Sequence, residues 1–571
     1  MRKILNYLKP TVLRMTVGLI IKFVGTVMDL LLPWILAFMI DDVAPLRNVP
    51  LIFFWGGVML FCSALAVVTN IVANRMASSV ARDTTQALRH DLFSKISYLS
   101  CAQIDAFSIP SLEARLTSDT YNIHQMIGMM QRLGVRAPIL LIGGIMVTFT
   151  LEPVLTLALV CVLPFIGYIV WRVSKKGIPL YTQLQRAVDG MVRTIREHAS
   201  GIRVIKALSK TEYERRRFAQ ANQTVVEKET KAGITMALTN PLMNLFLNLG
   251  LTLVIVVGAY RVNAGMTQPG RIIAFLSYFT IILNAMLSVT RIFVMFSKGS
   301  ASAGRISLVL DAPEELLQRE RPREQTPEHI VFDHVSFSYH KRRENLTDVS
   351  FRLKRGETLG VIGATGCGKS TLINLLMRLY DADKGKILIS GRPVESIDPA
   401  ELHEMFGVVF QNDILFADTI ANNIDFGRGL SREQLEQAIE DAQAAEFIHA
   451  LPDGLEHMLT AKGTNVSGGQ KQRILLARAL AGSPEILILD DSSSALDYKT
   501  DANLRRAINR RYADTTTVII AQRVSSIKHA DHILVLEDGC VIGSGTHKEL
   551  METCAVYREI GKTQMGGGEV A

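Results

Sequence analysis

The most informative stretch of the sequence is Val361-Ile-Gly-Ala-Thr-Gly-Cys-Gly-Lys-Ser-Thr371. It matches the pattern G-x-x-x-x-G-K-[ST] from Gly363 to Ser370. An apolar run ending at Ile362 predicts a buried strand before the loop, and the apolar residues that follow predict a helix. Glycines let backbone N–H groups turn toward an anion, and a helix N-terminus adds a positive dipole. The stretch therefore predicts a phosphate-binding loop, in which Lys369 reaches the β/γ-phosphates and the Ser370 hydroxyl binds Mg²⁺.

Composition divides the 571 residues into two unlike halves. Long apolar runs fill roughly the first 310 residues, and the remainder resembles a soluble α/β domain. The net charge of +8 is compatible with nucleic-acid binding, but the basic residues of the first half cluster between the apolar runs, which is typical of a membrane protein. The six cysteines include no C-x-x-C pair, so we expect free thiols in a reducing cytoplasm.

Six apolar segments are each near the length needed to cross a hydrocarbon core of ~30 Å. They are Val12–Ile40, Leu51–Val72, Val135–Thr150, Val154–Trp171, Pro241–Tyr260 and Ile272–Val294. The connections after the second and fourth segments are long and rich in Lys and Arg, whereas the others are short and poorer in cations. The N-terminus, both long connections and the C-terminal half are therefore predicted to be cytoplasmic. A protein with six membrane spans cannot be a soluble DNA-repair or translation ATPase, so these classes are excluded for this chain.

The two long connections have helical periodicity, so the helices are predicted to project into the cytoplasm. About fifty residues of helix from Leu51 reach roughly 75 Å, more than twice the hydrocarbon thickness. Each connection has one predicted break, at residues 104–119 and at residues 208–220. These breaks are either contacts for a cytoplasmic motor domain or plain solvated turns.

Lys22 and Asp29 are charged residues inside the first apolar segment. Charges within a span usually face the bundle interior or water. Their spacing places both on one face of a helix. They either line a substrate path or pair with other helices.

The domain boundaries follow from the same composition. We predict an all-α transmembrane domain of six helices over residues 1–310, a linker rich in Glu, Arg and Pro over residues 311–329, and an α/β domain over residues 330–571. The alternation in Val331–Tyr339 predicts a half-buried strand at the start of the α/β domain.

Further positions of the α/β domain fit a nucleotide site. The apolar run Ile486-Leu-Ile-Leu-Asp490 predicts a strand with Mg²⁺ bound at its end, and Gln411 is a further candidate metal or water contact. Val466-Ser-Gly-Gly-Gln470 precedes a helix and predicts a second phosphate cradle. Because one nucleotide does not need two cradles from one domain, we expect the second to face a nucleotide held by another copy or a partner. Tyr339 is a candidate for stacking on adenine, or an ordinary packing residue.

These motifs occur in the order found in ABC transporter ATPases, and with six spans ahead of them the chain resembles a half-transporter of the ABC exporter type. The resemblance rests on the phosphate loop, Gln411, Val-Ser-Gly-Gly-Gln at 466–470, Ile-Leu-Ile-Leu-Asp-Asp at 486–491, Ser-Ala-Leu-Asp at 494–497 and Ala-Gln-Arg at 521–523. It implies an α/β P-loop ATPase domain with a helical subdomain, which binds ATP and Mg²⁺ and dimerises head to tail.

The resemblance also implies roles for individual residues. It implies ATP contacts from Tyr339, Gly363, Thr365, Gly366, Cys367, Gly368, Lys369, Ser370 and Thr371, and contacts to the other subunit's ATP or the dimer interface from Ser467, Gly468, Gly469, Gln470 and Asp497. It implies metal contacts from Ser370, Gln411 and Asp490, and catalytic roles for Gln411, Asp491 and Gln522. In such a dimer each ATP is held between one subunit's phosphate loop and the other subunit's Ser-Gly-Gly-Gln element. Closure of the dimer around ATP is expected to act through the tips of the long arms and turn the bundle from inward- to outward-facing.

Two residues depart from the family pattern at the phosphate site. Asp491 stands where the family has the glutamate that polarises the attacking water. Its carboxylate is about one methylene short, and a misplacement near 1 Å can cost ~10²-fold in rate. Gln522 stands where the family has its switch histidine, and it carries neither a transferable proton nor a positive charge. Together these changes predict a site that binds ATP and hydrolyses it slowly.

The chain therefore resembles the degenerate-site subunit of a bacterial heterodimeric ABC exporter of the multidrug type, located in the plasma (inner) membrane. Its Ser467–Gln470 element matches the family pattern and is expected to complete the hydrolytically competent ATP site of a second half-transporter. We expect this pair to export hydrophobic or amphipathic solutes such as drugs, lipids or peptides, with no nucleic-acid partner. Two alternatives stay open, an importer of the siderophore type with the same fold and a channel or sensor that ATP only gates.

Overall fold

The computed structural model describes residues 2–313, 316–339, 341, 343–492 and 496–565. The chain divides into two compact units by its internal contacts. The first, called here the helical unit, comprises Met1–Ser97 and Pro110–Ala312. The second, the α/β unit, comprises Tyr98–Ile109 and Pro313–Ala571.

Helices separated by short breaks fill the chain up to the linker. They are α1 (Arg2–Leu8), α2 (Val12–Phe38), α3 (Val49–Ser97), α4 (Cys101–Phe107), α5 (Ile109–Ala114), α6 (Thr120–Leu151), α7 (Pro153–Ala207), α8 (Thr211–Ala237), α9 (Thr239–Asn263) and α10 (Pro269–Leu310). The long helices form the helical unit, in which α2 packs on α3, α6 on α10 and α7 on α8. The short helix α4 belongs to the α/β unit.

Within the described residues, six helical segments are long and apolar enough to cross a membrane, which confirms the six predicted spans. They are Lys3–Leu46, Val49–Ser97, Ile109–Leu151, Pro153–Ala207, Thr211–Asn263 and Pro269–Leu310. Their most apolar windows are only 11 to 39% buried inside the chain. An apolar surface of that extent suits contact with lipid, and helices satisfy their own backbone hydrogen bonds there. The chain is therefore a multi-pass membrane protein.

The break in the first arm lies earlier than residues 104–119. The chain leaves the helix after Ser97, and Ser100 then starts α4 through a capping box with Gln103. Ser108, with a φ of 64°, separates α4 from the continuous helical segment that starts at Ile109. Pro110 lies within the predicted break, but it is in the first turn of this segment, where its missing N–H costs nothing. In the second arm, α7 ends at Ala207 and α8 begins at Thr211, so this break coincides with the start of the predicted range.

The α/β unit alternates strands and helices. Its strands are β1 (Ile330–Phe337), β2 (Leu346–Leu353), β3 (Thr358–Gly363), β4 (Lys384–Ile389), β5 (Arg392–Pro393), β6 (Phe406–Val409), β7 (Ile486–Asp490), β8 (Thr516–Ile520), β9 (His532–Glu537) and β10 (Cys540–Gly545). Its remaining helices are α11 (Lys369–Leu376), α12 (Pro399–Glu404), α13 (Ile420–Asp425), α14 (Arg432–Asp441), α15 (Ala445–His449), α16 (Gly468–Leu480), α17 (Tyr498–Arg511), α18 (Val524–Ile527), α19 (His547–Thr553) and α20 (Ala555–Met565). Between β6 and β7, α13 and α14 pack on α16 and form a helical part, so the predicted fold class is confirmed.

The larger sheet determines where the functional residues meet. Its strand order is β10-β9-β3-β8-β7-β6, and the strands from β9 to β6 are parallel. The carboxyl ends of β3, β8 and β7 are therefore neighbours at one edge of the sheet. Ligands of open parallel sheets bind at such an edge.

The smaller sheet is antiparallel, with the order β2-β1-β4-β5. The prediction of a half-buried β1 is wrong, because only Asp333 and His334 at its centre are not buried. The strand lies between β2 and β4 in the middle of the sheet. Its residues Phe332 and Phe337 join the core that contains Val361 of β3.

Candidate nucleotide-binding site

The phosphate loop connects the end of β3 to the start of α11. Its strand ends at Gly363 and its helix begins at Lys369. Gly366 and Gly368 have φ angles of 87° and 104°. Residues with a side chain rarely adopt such positive φ angles. A Cβ on Gly368 would lie 2.7 Å from the carbonyl oxygen of Asn345. The local backbone therefore requires glycine and presents a helix N-terminus suited to an anion.

The Lys369 side chain folds back over its own loop. Its Nζ donates hydrogen bonds to the carbonyl oxygens of Gly363 and Ala364, both at 2.8 Å, and lies 3.7 Å from Cys367 Sγ. The Cys367 side chain is buried, so a ligand would meet its backbone rather than its thiol. The flexible lysine can exchange these neutral acceptors for phosphate oxygens.

Ser370 and Asp490 form an oxygen-rich corner beside the loop. Ser370 Oγ donates to Asp490 Oδ2 at 3.2 Å, and Asp490 is only 5% exposed. Burial raises the pKa of the Asp490 carboxyl, while hydrogen bonds from Ser370 and the Gln411 backbone oppose this shift. Hydroxyl, carboxylate and amide oxygens suit Mg²⁺, and a divalent cation would offset the cost of a buried carboxylate. The residues present therefore fit the ion.

One cavity of about 280 Å³ brings these separated elements together. It is lined by Asn345, Thr365, Gly366, Gly368, Lys369, Ser370, Thr371, Gln411, Asp490, Asp491, Ile520 and Gln522. The strand ends of β3, β7 and β8 thus place the predicted phosphate, metal and catalytic positions around one space. Asn345 and Ile520 also line the cavity, although neither was predicted from the sequence. Ile520 pairs with Val361 in the sheet, which only the strand order reveals.

The two residues that depart from the family pattern touch each other. Gln522 Nε2 donates a hydrogen bond to Asp491 Oδ2 at 3.2 Å. Asp491 follows β7 with a φ of 51°, a conformation that aspartate tolerates better than most residues. The Gln522 backbone is fixed in turn, because its carbonyl oxygen accepts from Gln564 Nε2 at 2.7 Å. The Asp491 carboxylate is therefore held by a neutral amide at the wall of the cavity.

The second glycine element lies apart from this cavity. Ser467 caps the 13-residue helix α16, accepting from Gln470 N at 3.3 Å and donating its own N–H to Gln470 Oε1 at 2.9 Å. Ser467 and Gly468 are exposed, and an added Cβ on Gly468 would meet nothing within 4 Å. None of the predicted residues Ser467, Gly468, Gly469 and Gln470 lines the cavity of the phosphate loop.

Asp497 caps α17 and is exposed. It accepts from Thr500 N at 2.9 Å and from Thr500 Oγ1 at 2.8 Å, and these hydrogen bonds hold the pKa of the Asp497 carboxyl below its ordinary value. Residues 494 and 495 of the Ser-Ala-Leu-Asp motif lie outside the described residues. Asp497 does not line the cavity either.

Tyr339 lies next to α11, although it does not line the cavity. Its Oη accepts a hydrogen bond from Asn374 Nδ2 at 3.1 Å and lies 3.4 Å from Thr371 Oγ1. Its ring packs edge-on against Phe337 and Tyr380, with centroids 4.8 and 5.0 Å apart. Both interpretations of Tyr339, adenine stacking and packing, are compatible with these contacts.

Fold and site together define a P-loop ATPase joined to membrane-spanning helices. Two family models match the chain, the ABC transporter transmembrane region at residues 15–286 and the ABC transporter model at residues 346–494. YfiB of Bacillus subtilis (strain 168), an ABC transporter ATP-binding protein, is 36% identical over 99% of both chains. The chain therefore belongs to the ABC transporter family, as an exporter-type half-transporter with one transmembrane domain and one ABC ATPase domain.

Other similar proteins extend over most of the chain. The ATP-dependent lipid A-core flippase of Xylella fastidiosa is 30% identical over 88% of this chain and 85% of its own. Among solved structures, an ATP-bound bacterial Atm1-family ABC exporter has a TM-score of 0.82 and 24% identity, and the match covers 98% of this chain and 99% of that one. This last likeness concerns the fold. An ABC ATPase domain of this family binds ATP, typically with Mg²⁺, and lies in the cytoplasm.

Proposed function

We propose that this chain is one subunit of a heterodimeric, ATP-driven exporter whose own site binds Mg-ATP and hydrolyses it slowly. The observation that carries the proposal is the hydrogen bond from Gln522 to Asp491. It links the two departures from the family pattern in one contact. We take the transmembrane domain as residues 1–310, the linker as residues 311–329 and the ATPase domain as residues 330–571.

The contact gives two reasons why hydrolysis would be slow, one for the activation of water and one for the stabilisation of the transition state. A general base must lie within hydrogen-bond reach of the attacking water. The shorter Asp491 carboxylate starts farther from that position, and one of its oxygens is already engaged by the Gln522 amide. Gln522 adds no positive charge where negative charge develops in the transition state. The intact loop and the Ser370–Asp490 pair still support ATP and Mg²⁺ binding.

The exposed Ser467–Gln470 element supports the second half of the proposal. A capped helix start that lies outside its own chain's cavity is available to a nucleotide held by a second half-transporter. Its sequence agrees with the family pattern, in contrast to Asp491 and Gln522. We propose that this chain completes the fast site of its partner and that the partner completes the slow site.

The two arm breaks support coupling between ATP and the membrane helices. Within the α/β unit, Tyr380 Oη donates to Asp105 Oδ2 of α4 at 2.7 Å, and Gln103 Nε2 donates to the Pro313 carbonyl at 2.7 Å. These bonds favour a motor contact over a plain solvated turn for the first break. At the second break, Leu208 and Tyr213 are 64% and 65% exposed, so these two large side chains are available to a partner's ATPase domain.

The proposed substrates are hydrophobic or amphipathic solutes moved out of the cytoplasm. The similarity to a protein named as a lipid A-core flippase supports an amphipathic substrate. Slow hydrolysis also suits a channel or sensor that ATP only gates. Uphill accumulation of substrate in proteoliposomes that contain both subunits distinguishes the exporter, because a channel only equilibrates its solute.

The purified chain tests the heterodimer directly. We expect the chain alone to bind a fluorescent ATP analogue and to show little ATP turnover, and we expect turnover to rise when a second half-transporter with glutamate and histidine at the positions of Asp491 and Gln522 is added. Lys369→Ala supplies the background for ATP binding. Fast hydrolysis by the chain alone would overturn the proposal.

A further inference from the structure

A polar cluster lies between α2 and α3 inside the helical unit. Lys22 of α2 is only 2% exposed. Its Nζ donates to Oδ1 of Asn70 at 2.7 Å and to Oδ1 of Asn74 at 3.1 Å, both on α3. These acceptors are neutral, so the ammonium group is hydrogen-bonded without being neutralised. A charge in a span is costly and usually serves function.

Two arginines of α6 add positive charge beside Lys22. Arg136 Nη2 lies 3.0 Å from Asp29 Oδ2, and Arg132 Nε donates to the Gly128 carbonyl at 3.0 Å. Arg136, Asp29 and Arg132 lie close enough to Lys22 for their charges to act on it. Among the described residues, three cations thus share one carboxylate in this cluster. The cluster has an excess of positive charge.

The edge of the cluster is accessible. The side chains of Arg136 and Asp29 are 39% and 24% exposed, whereas Arg136 Nε is buried without a hydrogen-bond partner among the described residues. Charges in spans face water-filled space rather than lipid. Because α2 starts at Val12 on the cytoplasmic side, Lys22 lies only ~15 Å along it. Asp29 lies ~25 Å along the same helix, so the cluster extends across the middle of the ~30 Å hydrocarbon core, which a substrate entering from the cytoplasm would reach.

We infer that Lys22, Arg132 and Arg136 form a subsite for the acidic head group, phosphate or carboxylate, of an amphiphilic ligand. Guanidinium groups match the oxygens of such groups in bidentate geometry, and the apolar tail can lie along the surrounding helices. Asp29 acts as an internal counter-ion that the ligand displaces from Arg136. The inference rests on the proposed transport function and names its substrate class.

Equilibrium binding of radiolabelled dodecyl phosphate tests the subsite. The full chain is placed in phosphatidylcholine nanodiscs, and binding to empty nanodiscs is subtracted. Because all members of the cluster belong to one chain, no partner is needed. We expect saturable binding that dodecanol does not displace, and an affinity about tenfold weaker in Arg136→Gln, as expected for loss of a charged hydrogen bond. Arg193→Gln, on the exposed face of α7, removes the same charge and should leave the affinity unchanged.

Asp29→Asn gives the decisive second variant. Removing the internal counter-ion frees Arg136, so dodecyl phosphate should bind about threefold or more tightly. A folding defect cannot imitate a gain in affinity. Equal affinity in the unchanged chain, Arg136→Gln and Asp29→Asn would overturn the subsite, as would a loss in Asp29→Asn.

Two further measurements identify the ligand source and separate this inference from the proposed function. Inorganic phosphate alone should bind far more weakly than dodecyl phosphate, and equal binding would make this a site for free anions and overturn the amphiphile assignment. ATP binding is measured in the same samples. Absence of dodecyl phosphate binding by the unchanged chain, with ATP binding present, contradicts the subsite alone, whereas fast ATP turnover by the chain alone contradicts the proposed heterodimer and leaves the subsite intact.

Discussion

The α/β unit contains two glycine elements at helix starts, and their surroundings differ. The loop from Val361 to Thr371 lines a cavity together with Asp490, Asp491 and Gln522. The Ser467–Gln470 element starts α16 at an exposed position, and nothing lies within 4 Å of a Cβ added to Gly468. One cradle is therefore enclosed by its own chain's catalytic positions, and the other is left open.

The two cradles differ in whether they are suited to binding ATP or to hydrolysing it. The enclosed cradle combines the loop with the Ser370–Asp490 pair, which fits Mg²⁺, but the residues at its predicted catalytic positions are a short carboxylate and a neutral amide bonded to each other. The open cradle has a regular sequence and no catalytic group of its own. A complete loop motif thus predicts phosphate binding, whereas we expect the residues at the neighbouring strand ends to decide whether the phosphate is cleaved.

The largest effect is expected from Gly468→Asp in the assembled pair. A negative charge at the exposed start of α16 would repel a partner's phosphates, so ATP turnover of the pair should fall by about 10²-fold. An acidic residue in the first helical turn favours the helix itself, so the subunit should fold and retain ATP binding at its own loop. Gly468→Ala is the matched control and should change turnover much less. Unchanged turnover in Gly468→Asp would remove the open cradle from catalysis.

The next effect concerns the enclosed cradle. Asp491→Glu combined with Gln522→His restores the longer base and a group able to carry charge, so hydrolysis at this site should rise by at least about tenfold. The measurement uses pairs that also contain Gly468→Asp, because their remaining turnover comes mainly from this chain's own site. If the rate stayed at the background of Lys369→Ala, these two side chains would not be what limits the site.

Local sequence patterns predicted both glycine elements and most of the secondary structure around them. The phosphate loop, the strand ending at Asp490 and the six spans each depend on neighbours in sequence, so periodicity and motif spacing were sufficient. The bond between Asp491 and Gln522 depends on β7 and β8 being adjacent, and the bond from Lys22 to Asn70 depends on α2 packing on α3. Strand and helix order are not encoded locally. The earlier break in the first arm was readable, because Ser100 and Gln103 form the S-x-x-Q capping pattern.

Replacing one glycine in each cradle by alanine shows how strongly the stability of the α/β unit depends on that glycine. In Gly368→Ala, the new Cβ would lie 2.7 Å from the Asn345 carbonyl oxygen at a φ of 104°, so the α/β unit should lose about 1–3 kcal/mol. Gly468→Ala enters open space at a helix start and should be neutral or slightly stabilising. Thermal unfolding of the full chain in detergent, with and without Mg-ATP, measures both. Equal unfolding temperatures for the two variants would contradict the difference in enclosure.

The smallest effect is expected from two helix caps that do not line the cavity. Asp497→Ala removes a helix cap and should lower the unfolding temperature by about 1–2 °C at neutral pH. Hydrogen bonds from Thr500 hold the pKa of the Asp497 carboxyl below its ordinary value, so its stabilisation is present above that ordinary value and is lost as the pH falls through the lower native value. The difference between the unchanged chain and Asp497→Ala should therefore shrink in acid. Ser467→Ala removes a hydroxyl cap that does not titrate, and its difference should persist. If both differences fell together on acidification, general acid unfolding rather than Asp497 would account for the loss.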